Sequence, residues 1–363
     1  MKILLAAGKT GGHIFPALSV AQEFLRRNPE SEILLVGSPD EISSRIFAQY
    51  GIQWRGLEAL PVKGAGFIGK LKAVKALLAA IKKAGEIIKQ FEPQSVIGFG
   101  GYTSAAVIIV AKRKKIPCYL QEQNLLPGIT NRWLGKLVKK VFISFADSEK
   151  YFPAGHTLWV GNPIRREIGT GKQDYGLFGL ESGRFTLLVF GGSQGAHGIN
   201  QLIIDAMILW PDKELQIIHQ TGERDYIWAQ KNYRQINLKA CVQPFITQMP
   251  EAYACADLII CRAGATSIAE LLQVGKAAIL IPYPYAADDH QTLNARSLEK
   301  RGAAIFLPEK DLTAQRLIEE IKTLQTDKAK RGKMGQAAKD QAKPEAAAAI
   351  VDYLIQQNGG QLV

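Results

Sequence analysis

Lys2-Ile-Leu-Leu-Ala-Ala-Gly-Lys-Thr-Gly-Gly-His13 opens the chain, and its reading decides the fold. Lys2–Ala7 is an apolar run suited to a buried parallel strand, and glycines then break it. Phe15–Arg27 follows, with Ala17, Val20, Ala21, Phe24 and Leu25 at helical spacing. Ile33–Val36 is the next short apolar run, so strand, helix and strand alternate as in a doubly wound parallel sheet. Ser95–Gly98, Cys118–Glu122 and Val141–Ser144 read as later strands of that sheet.

The pattern restarts at Phe185–Phe190, is broken again by Gly191-Gly-Ser-Gln-Gly195, and continues into an amphipathic stretch, Ile199–Ile208. Leu215–Gln220, Leu258–Cys261 and Ala277–Ile281 supply strands of a second sheet. A chain of 363 residues also exceeds what one core usually organises. The expected architecture is α/β: two Rossmann-like, doubly wound domains, 1–161 and 162–343, with a cleft between them. Gly161-Asn-Pro-Ile-Arg165 reads as the hinge, and an alanine-rich helix over 344–357 is free to pack back on the first domain.

Composition narrows the function classes. Hydrophobic residues make up 47% and charged residues 21%, which is globular rather than disordered. Cys118, Cys241, Cys255 and Cys261 are scattered without CxxC or zinc spacing, so reduced thiols in a cytosolic protein are expected. The strongest apolar run, Ala105–Ala111, is strand-sized and too short to span a bilayer. The opening apolar run is too short for a signal sequence, which predicts a cytoplasmic location. Residues 1–160 hold 22 Lys/Arg and 11 Asp/Glu, the remainder 23 and 22, so nearly all of the +12 charge lies in the first half. An anionic partner for that half follows, either nucleic acid or a membrane surface.

In open parallel sheets ligands sit beyond the carboxyl ends of the strands. Three glycine loops have that placement: Gly8–His13, Gly98–Tyr102 and Gly191–Gly195. Each suits an anion by close approach of backbone N–H groups, and each is equally readable as a structural turn. The first has neither P-loop nor GxGxxG spacing, which disfavours an ATPase or dehydrogenase and leaves a sugar-nucleotide enzyme. Cys261-Arg-Ala-Gly-Ala-Thr-Ser-Ile-Ala-Glu270 reads in two ways. It is either a capping box with Ser/Thr caps and Glu270 one turn inside, or a loop facing a diphosphate with Glu270 on ribose hydroxyls. Asp288–Asn294 is a polar cluster in which Gln291 and Asn294 suit sugar hydroxyls or a solvated loop.

Taken together, the motifs resemble the MurG family of bacterial peptidoglycan glycosyltransferases. The resemblance rests on Gly8–Pro16, Gly100–Tyr102, Glu122–Asn124 with Pro127-Gly128 and Thr130-Asn131, Gly161–Arg165, Gly191–Ala196, Cys261–Ala265, and His290-Gln291 with Asn294-Ala295, in family order along nearly the whole chain. It implies the GT-B fold and an inverting transfer of N-acetylglucosamine from UDP-GlcNAc. The implied acceptor hydroxyl is the muramyl C4 hydroxyl of undecaprenyl-diphospho-MurNAc-pentapeptide, lipid I, and the product is lipid II. His13, the one histidine in an N-terminal glycine loop, is the base candidate, with a positioning role as the alternative. The donor contacts implied by the family are Thr10, Gly11, Gly12, Asn124, Arg165, Ser193, Ile246 (main chain, on uracil), Ala265, Thr266, Ser267, Ile268, Ala269, Glu270 and Gln291. Gly101, Tyr102 and Asn131 are acceptor-side candidates. No Asp-x-Asp occurs, so neither metal nor other cofactor is expected. The chain departs from many members at Gln121, where His is common, at Ser104-Ala-Ala106, and at His290, where some relatives have Gln.

The first half also carries a candidate membrane face. Phe67, Ile68, Leu71, Val74, Leu77, Leu78 and Ile81 are apolar within 66–91, with Lys75, Lys82 and Lys89 on another face. Trp133 with Lys136, Lys139 and Lys140 forms a second basic-aromatic cluster. An anionic membrane surface is the expected partner, since no nucleic-acid recognition module accompanies the charge, and the expected location is peripheral, on the cytoplasmic face. A core helix with a solvated lysine face is the competing reading of 66–91.

Overall fold

The computed structural model describes residues 1–40, 44, 47, 48, 50–58, 67–210 and 214–359, with side chains of 67–75 left aside. The chain divides into two compact units, Met1–Arg165 with Lys343–Val363, and Arg166–Ala342. Arg165 and the whole Gly161–Arg165 segment thus fall in the first unit, and so does the carboxyl-terminal helix.

The first unit is built on β1 (Lys2–Ala6), β2 (Glu32–Gly37), β3 (Trp54–Gly56), β4 (Ser95–Gly98), β5 (Cys118–Glu122), β6 (Lys140–Ile143) and β7 (Thr157–Trp159). All pair in parallel in the order β3-β2-β1-β4-β5-β6-β7. Residues of β1 alternate between two cores. Ile3 and Leu5 pack with Ile14, Ala17 and Phe24 of α1 (Gly11–Arg27). Leu4 and Ala6 face the other way, toward α2 (Phe67–Phe91) and α3 (Gly101–Arg113). The strand is therefore buried on both faces, which is why it reads as an unbroken apolar run.

Ala105–Ala111, strand-sized by length, lies inside α3. A helix wedged between a sheet and a second helix is apolar nearly all round, so its run does not distinguish it from a strand. Along α2, Leu77 and Ile81 pack on the core beside buried Ala80, Ala84, Ile87 and Ile88. For those two residues the core-helix reading holds; Phe67, Ile68, Leu71, Val74 and Lys75 lie outside the described side chains.

The second unit repeats the plan with β8 (Phe185–Phe190), β9 (Leu215–Gln220), β10 (Ala240–Gln243), β11 (Leu258–Cys261), β12 (Ala277–Leu280) and β13 (Ile305–Phe306). The order is β10-β9-β8-β11-β12-β13, again parallel. Helices α5 (His197–Ile208), α6 (Tyr226–Gln235), α7 (Met249–Cys255), α8 (Ala265–Val274), α9 (His290–Glu299), α10 (Ala314–Thr326) and α11 (Lys328–Lys339) connect and cover the strands, and the short α4 (Ile129–Leu134) belongs to the first unit.

The last helix, α12 (Ala346–Gln357), completes the core of the first unit. Ile350, Val351 and Leu354 are fully buried beside Leu5 and Phe24, and Tyr353 stands edge-on to both Tyr119 and Phe142 at 6.0 and 5.5 Å. Arg27 of α1 pairs with Asp352 of α12 and, through Nε at 2.7 Å, with Glu23. Arg26 also bonds Glu23 at 2.7 Å, and chiefly this contact holds the Glu23 carboxyl down at about 2, against burial.

Leu354→Ala is expected to cost about 2–5 kcal/mol by opening a cavity under α12, read from urea unfolding of the first unit. Glu23 contributes stability above its ordinary 4.5, which is lost as pH falls toward about 2. Glu23→Gln should therefore flatten the acid limb of the stability–pH curve while lowering the plateau by about 1 kcal/mol, since water screens this pair.

Candidate active site

The strand order reverses between β1 and β4 in the first unit and between β8 and β11 in the second. Loops leaving these neighbouring strands diverge, and a crevice opens at their carboxyl ends. In the first unit the loops are Ala7–Thr10 and Phe99–Gly100. They touch: a Cβ on Gly101 would lie 3.0 Å from Gly8 Cα. His13, in the first turn of α1, leans into this junction. Its Nδ1 is 3.3 Å from Thr10 Oγ1 and would be 2.5 Å from a Cβ at Gly8, so only glycine admits the ring there. Its Nε2 edge lies over Gly100, on the side where the Asn131 amide approaches the same glycine. His13 thus meets the acceptor-side candidates Gly101 and Asn131; Tyr102 follows Gly101 in the first turn of α3, half-buried.

Asn131 leads to a residue whose role the motif reading missed. Its Nδ2 donates to Glu122 Oε2 at 2.8 Å, and Asn124 N donates to Glu122 Oε1 at 2.8 Å. Glu122 is 1% exposed, and burial pushes its carboxyl up to about 7 in spite of these donors. One carboxyl therefore orients both Asn124 and Asn131. The signal was present as a charged residue ending a short strand whose first three residues are apolar, but only the fold shows what it holds. Asn131 Oδ1 is buried with no partner among the described residues.

Beside it, buried Gln121 donates to Ser144 Oγ at 3.0 Å and to Asn162 Oδ1 at 3.1 Å, and accepts from Gln123. It ties the Gly161–Arg165 segment to β5, a neutral role that needs no imidazole. Arg165 lies over the ring of Phe15 at 5.6 Å, two residues beyond His13. Of the predicted donor contacts, Thr10, Gly11, Gly12, Asn124 and Arg165 thus belong to the first unit, around one strand junction.

The others belong to the second unit. Ser193 is exposed in the loop after β8. That loop and Thr221-Gly222, after β9, are pressed together: a Cβ on Gly195 would lie 1.9 Å from Thr221 O, and one on Gly222 2.1 Å from Gln194 O. Both glycines also have positive φ, +75° and +78°. Ile246 is buried, and its N–H donates to Gln220 Oε1 at 2.9 Å.

The capping-box reading of Cys261–Glu270 is overturned. The N-cap of α8 is Gly264, without a side-chain cap, and Thr266 and Ser267 lie inside the first turn. Buried Glu270 accepts from Tyr253 OH at 2.8 Å, so its carboxylate is steered by α7. Ala265 and Ile268 are buried, Thr266, Ser267 and Ala269 half-buried. Arg262 makes 3.2 and 2.9 Å bonds to the carbonyls of Ile281 and Pro282 and pairs with Glu309, an internal strut. Gln291 Oε1 accepts from Tyr283 N at 3.0 Å, and the turn before it holds Asp288 and Asp289 both at φ +52°. Two consecutive left-handed non-glycine residues are strained, a feature that collects at functional loops. Asn294 is fully buried and donates to Ala263 O, so it braces the loop instead of facing solvent.

Residues 3–143 match the glycosyltransferase family 28 N-terminal domain and 186–350 its C-terminal domain. The chain is 42% identical over 359 residues to the UDP-N-acetylglucosamine–N-acetylmuramyl-(pentapeptide) pyrophosphoryl-undecaprenol N-acetylglucosamine transferase of Geobacter sulfurreducens, covering 98% of each. Among solved structures it is similar to MurG of Acinetobacter baumannii, with TM-score 0.78, 33% identity, and coverage of 98% and 99%. A UDP-GlcNAc 2-epimerase of Neisseria meningitidis, at TM-score 0.70 but 14% identity, shares the fold alone. Near-complete coverage at that identity, with both family 28 domains in place, makes the chain a glycosyltransferase of GT-B fold that belongs to the MurG family of N-acetylglucosamine transferases.

Proposed function

We propose that the chain transfers N-acetylglucosamine from UDP-GlcNAc to the muramyl C4 hydroxyl of a polyprenyl-diphospho-MurNAc-pentapeptide, with inversion and release of UDP. The observation that carries this reading is the His13 edge set over Gly100 beside Asn131, at the sheet junction where an acceptor sugar would rest. His13 takes the hydroxyl proton as the oxygen attacks the anomeric carbon, and the C–O bond to UDP breaks on the opposite face. Asn131, held by Glu122, sets its amide beside the His13 edge at Gly100. Charge on the departing diphosphate falls on the main-chain N–H groups around Ser193 and Ala265–Ser267 and on Arg165. Glu270 takes the ribose hydroxyls, Ile246 the uracil, and Gln291 the sugar.

The acceptor is a lipid, and among the described residues no helix is long and apolar enough to cross a membrane. Leu78, Ile129 and Trp133 are exposed at 61%, 62% and 54%, and Lys82, Lys136 and Lys139 are exposed too. Such a mixture of anchors and cations suits peripheral binding at the anionic cytoplasmic face. Lys140 is the weaker member, because its ammonium donates to Gly155 O at 2.8 Å.

His13→Ala should lower kcat about 10²–10⁴-fold with UDP affinity kept within about threefold, measured as disaccharide formed from UDP-GlcNAc and a lipid I analogue. Epimerised UDP-sugar without disaccharide would sink the reading. Charge reversal at Lys82, Lys136 and Lys139 is expected to abolish flotation with anionic liposomes; unchanged flotation would refute the membrane face. Glu122 keeps its proton up to about 7 in the folded chain, against an ordinary 4.5, so its contribution to stability is full below 4.5 and lost as pH rises through about 7. Glu122→Gln should erase that slope in denaturant midpoints taken across the interval. It should also cost about tenfold or more in acceptor kcat/KM, because the new amide opposes Asn124 N–H or Asn131 Nδ2.

A further inference from the structure

Gln220 ends β9, between the last residues of β8 and β10: it is in register with Phe190 on one side and Gln243 on the other. Phe190 runs directly into the Gly191–Gly195 loop, and Gln243 into Pro244-Phe-Ile246. The Gln220 side chain, 2% exposed, reaches both. Its Nε2 donates to Gly192 O at 2.8 Å, and its Oε1 accepts from Ile246 N at 2.9 Å. The next two residues reinforce the same link through the main chain, Thr221 N to Gln243 O and Gly222 N to Pro244 O, both at 3.0 Å.

We propose that Gln220 is a positioning residue that fixes the diphosphate loop and the base-holding segment at one separation, so that a single uridine diphosphate spans both. The inference rests on the donor reading given above and goes beyond it. A carboxamide suits the task because it carries one donor and one acceptor on the same rigid plane. The Ile246 amide is spent on this strut, which leaves the Ile246 carbonyl as the main-chain atom for the imide N–H of uracil. The Gly192 carbonyl, drawn toward Nε2, is turned away from an incoming phosphate, and the loop is held before the ligand arrives. Without the strut each half retains its own contacts, but their spacing is no longer set, and the ordering cost is borne on binding.

Calorimetric titration of the full-length protein with uridine and with UDP separates these effects. Gln220→Leu fills the same volume and removes both bonds. It is expected to weaken UDP about tenfold or more, and uridine clearly less. It should raise KM for UDP-GlcNAc with kcat within about twofold, as for lost uniform binding. Gln220→Glu keeps the acceptor for Ile246 N–H but sets a carboxylate against Gly192 O. Uridine affinity should stay within about threefold of wild type, while UDP affinity drops about tenfold near pH 8. On lowering the pH to about 6, the buried carboxyl takes a proton, its O–H replaces Nε2–H, and the mutant-to-wild-type ratio should move back toward one.

UDP and uridine affinities unchanged in Gln220→Leu would overturn the strut. So would equal losses for both ligands accompanied by a large fall in melting temperature, which mark an ordinary core residue. Wild-type protein that binds neither ligand would instead overturn the donor reading beneath it.

Discussion

Parallel pairing of β1 with β4, and of β8 with β11, is the constraint from which the rest follows. Neighbouring parallel strands whose connections leave in opposite directions cannot both be covered at their carboxyl ends. In the first unit that divergence is visible in the packing, since α1 lies on the Ile3–Leu5 face of β1 and α3 on the Leu4–Ala6 face. The uncovered strand ends must satisfy their backbone groups by tight loops. Glycine enters where main chains approach too closely for a Cβ, as at Gly101 against Gly8 and at Gly195 against Thr221.

Precision at such loops is supplied by buried polar groups lying one layer beneath. Glu122 holds Asn124 and Asn131, Tyr253 holds Glu270, Asn294 holds Ala263, and Arg262 holds the Ile281–Pro282 turn. Each side chain is removed from water, which is costly unless its bonds are complete. His219 illustrates the balance: burial pushes it down to about 3, so it stays neutral between Tyr233 OH and Asn200 Oδ1 at 2.8 and 3.0 Å. Asn200 passes the constraint to Asp225, which His197 of the first α5 turn also meets at 3.0 Å. The helix behind the Gly191–Gly195 loop is thus anchored by a polar chain running from the core to the surface.

Charge is distributed on a different principle. The second unit is nearly neutral, and two of its cations, Arg262 and Lys276, serve as internal struts, the latter capping the carbonyls of Ala254 and Ala256. In the first half, exposed cations include Lys82, Lys83 and Lys89 of α2, Lys112, Arg113, Lys114 and Lys115 at and after the end of α3, and Lys136 and Lys139 after α4. Isolated surface lysines contribute little to folding.

Strand positions, the two-domain α/β plan and the glycine loops were written in the sequence, because a strand buried on both faces must be continuously apolar and a tight main-chain approach must be glycine. The strands it left illegible are β3, β7, β10 and β13, the four edges of the two sheets. An edge strand has one paired side and mixed burial, so no apolar run marks it. The chemistry-bearing types His13, Glu270 and Gln291 could be picked out by their loops. What each is held by could not, because Glu122 with Asn131, Tyr253 with Glu270, and Gln220 with Gly192 and Ile246 join residues distant in the chain. Only the packing of the sheet decides those partners: strand order sets which loop ends become neighbours, and burial then makes each polar group find a partner there.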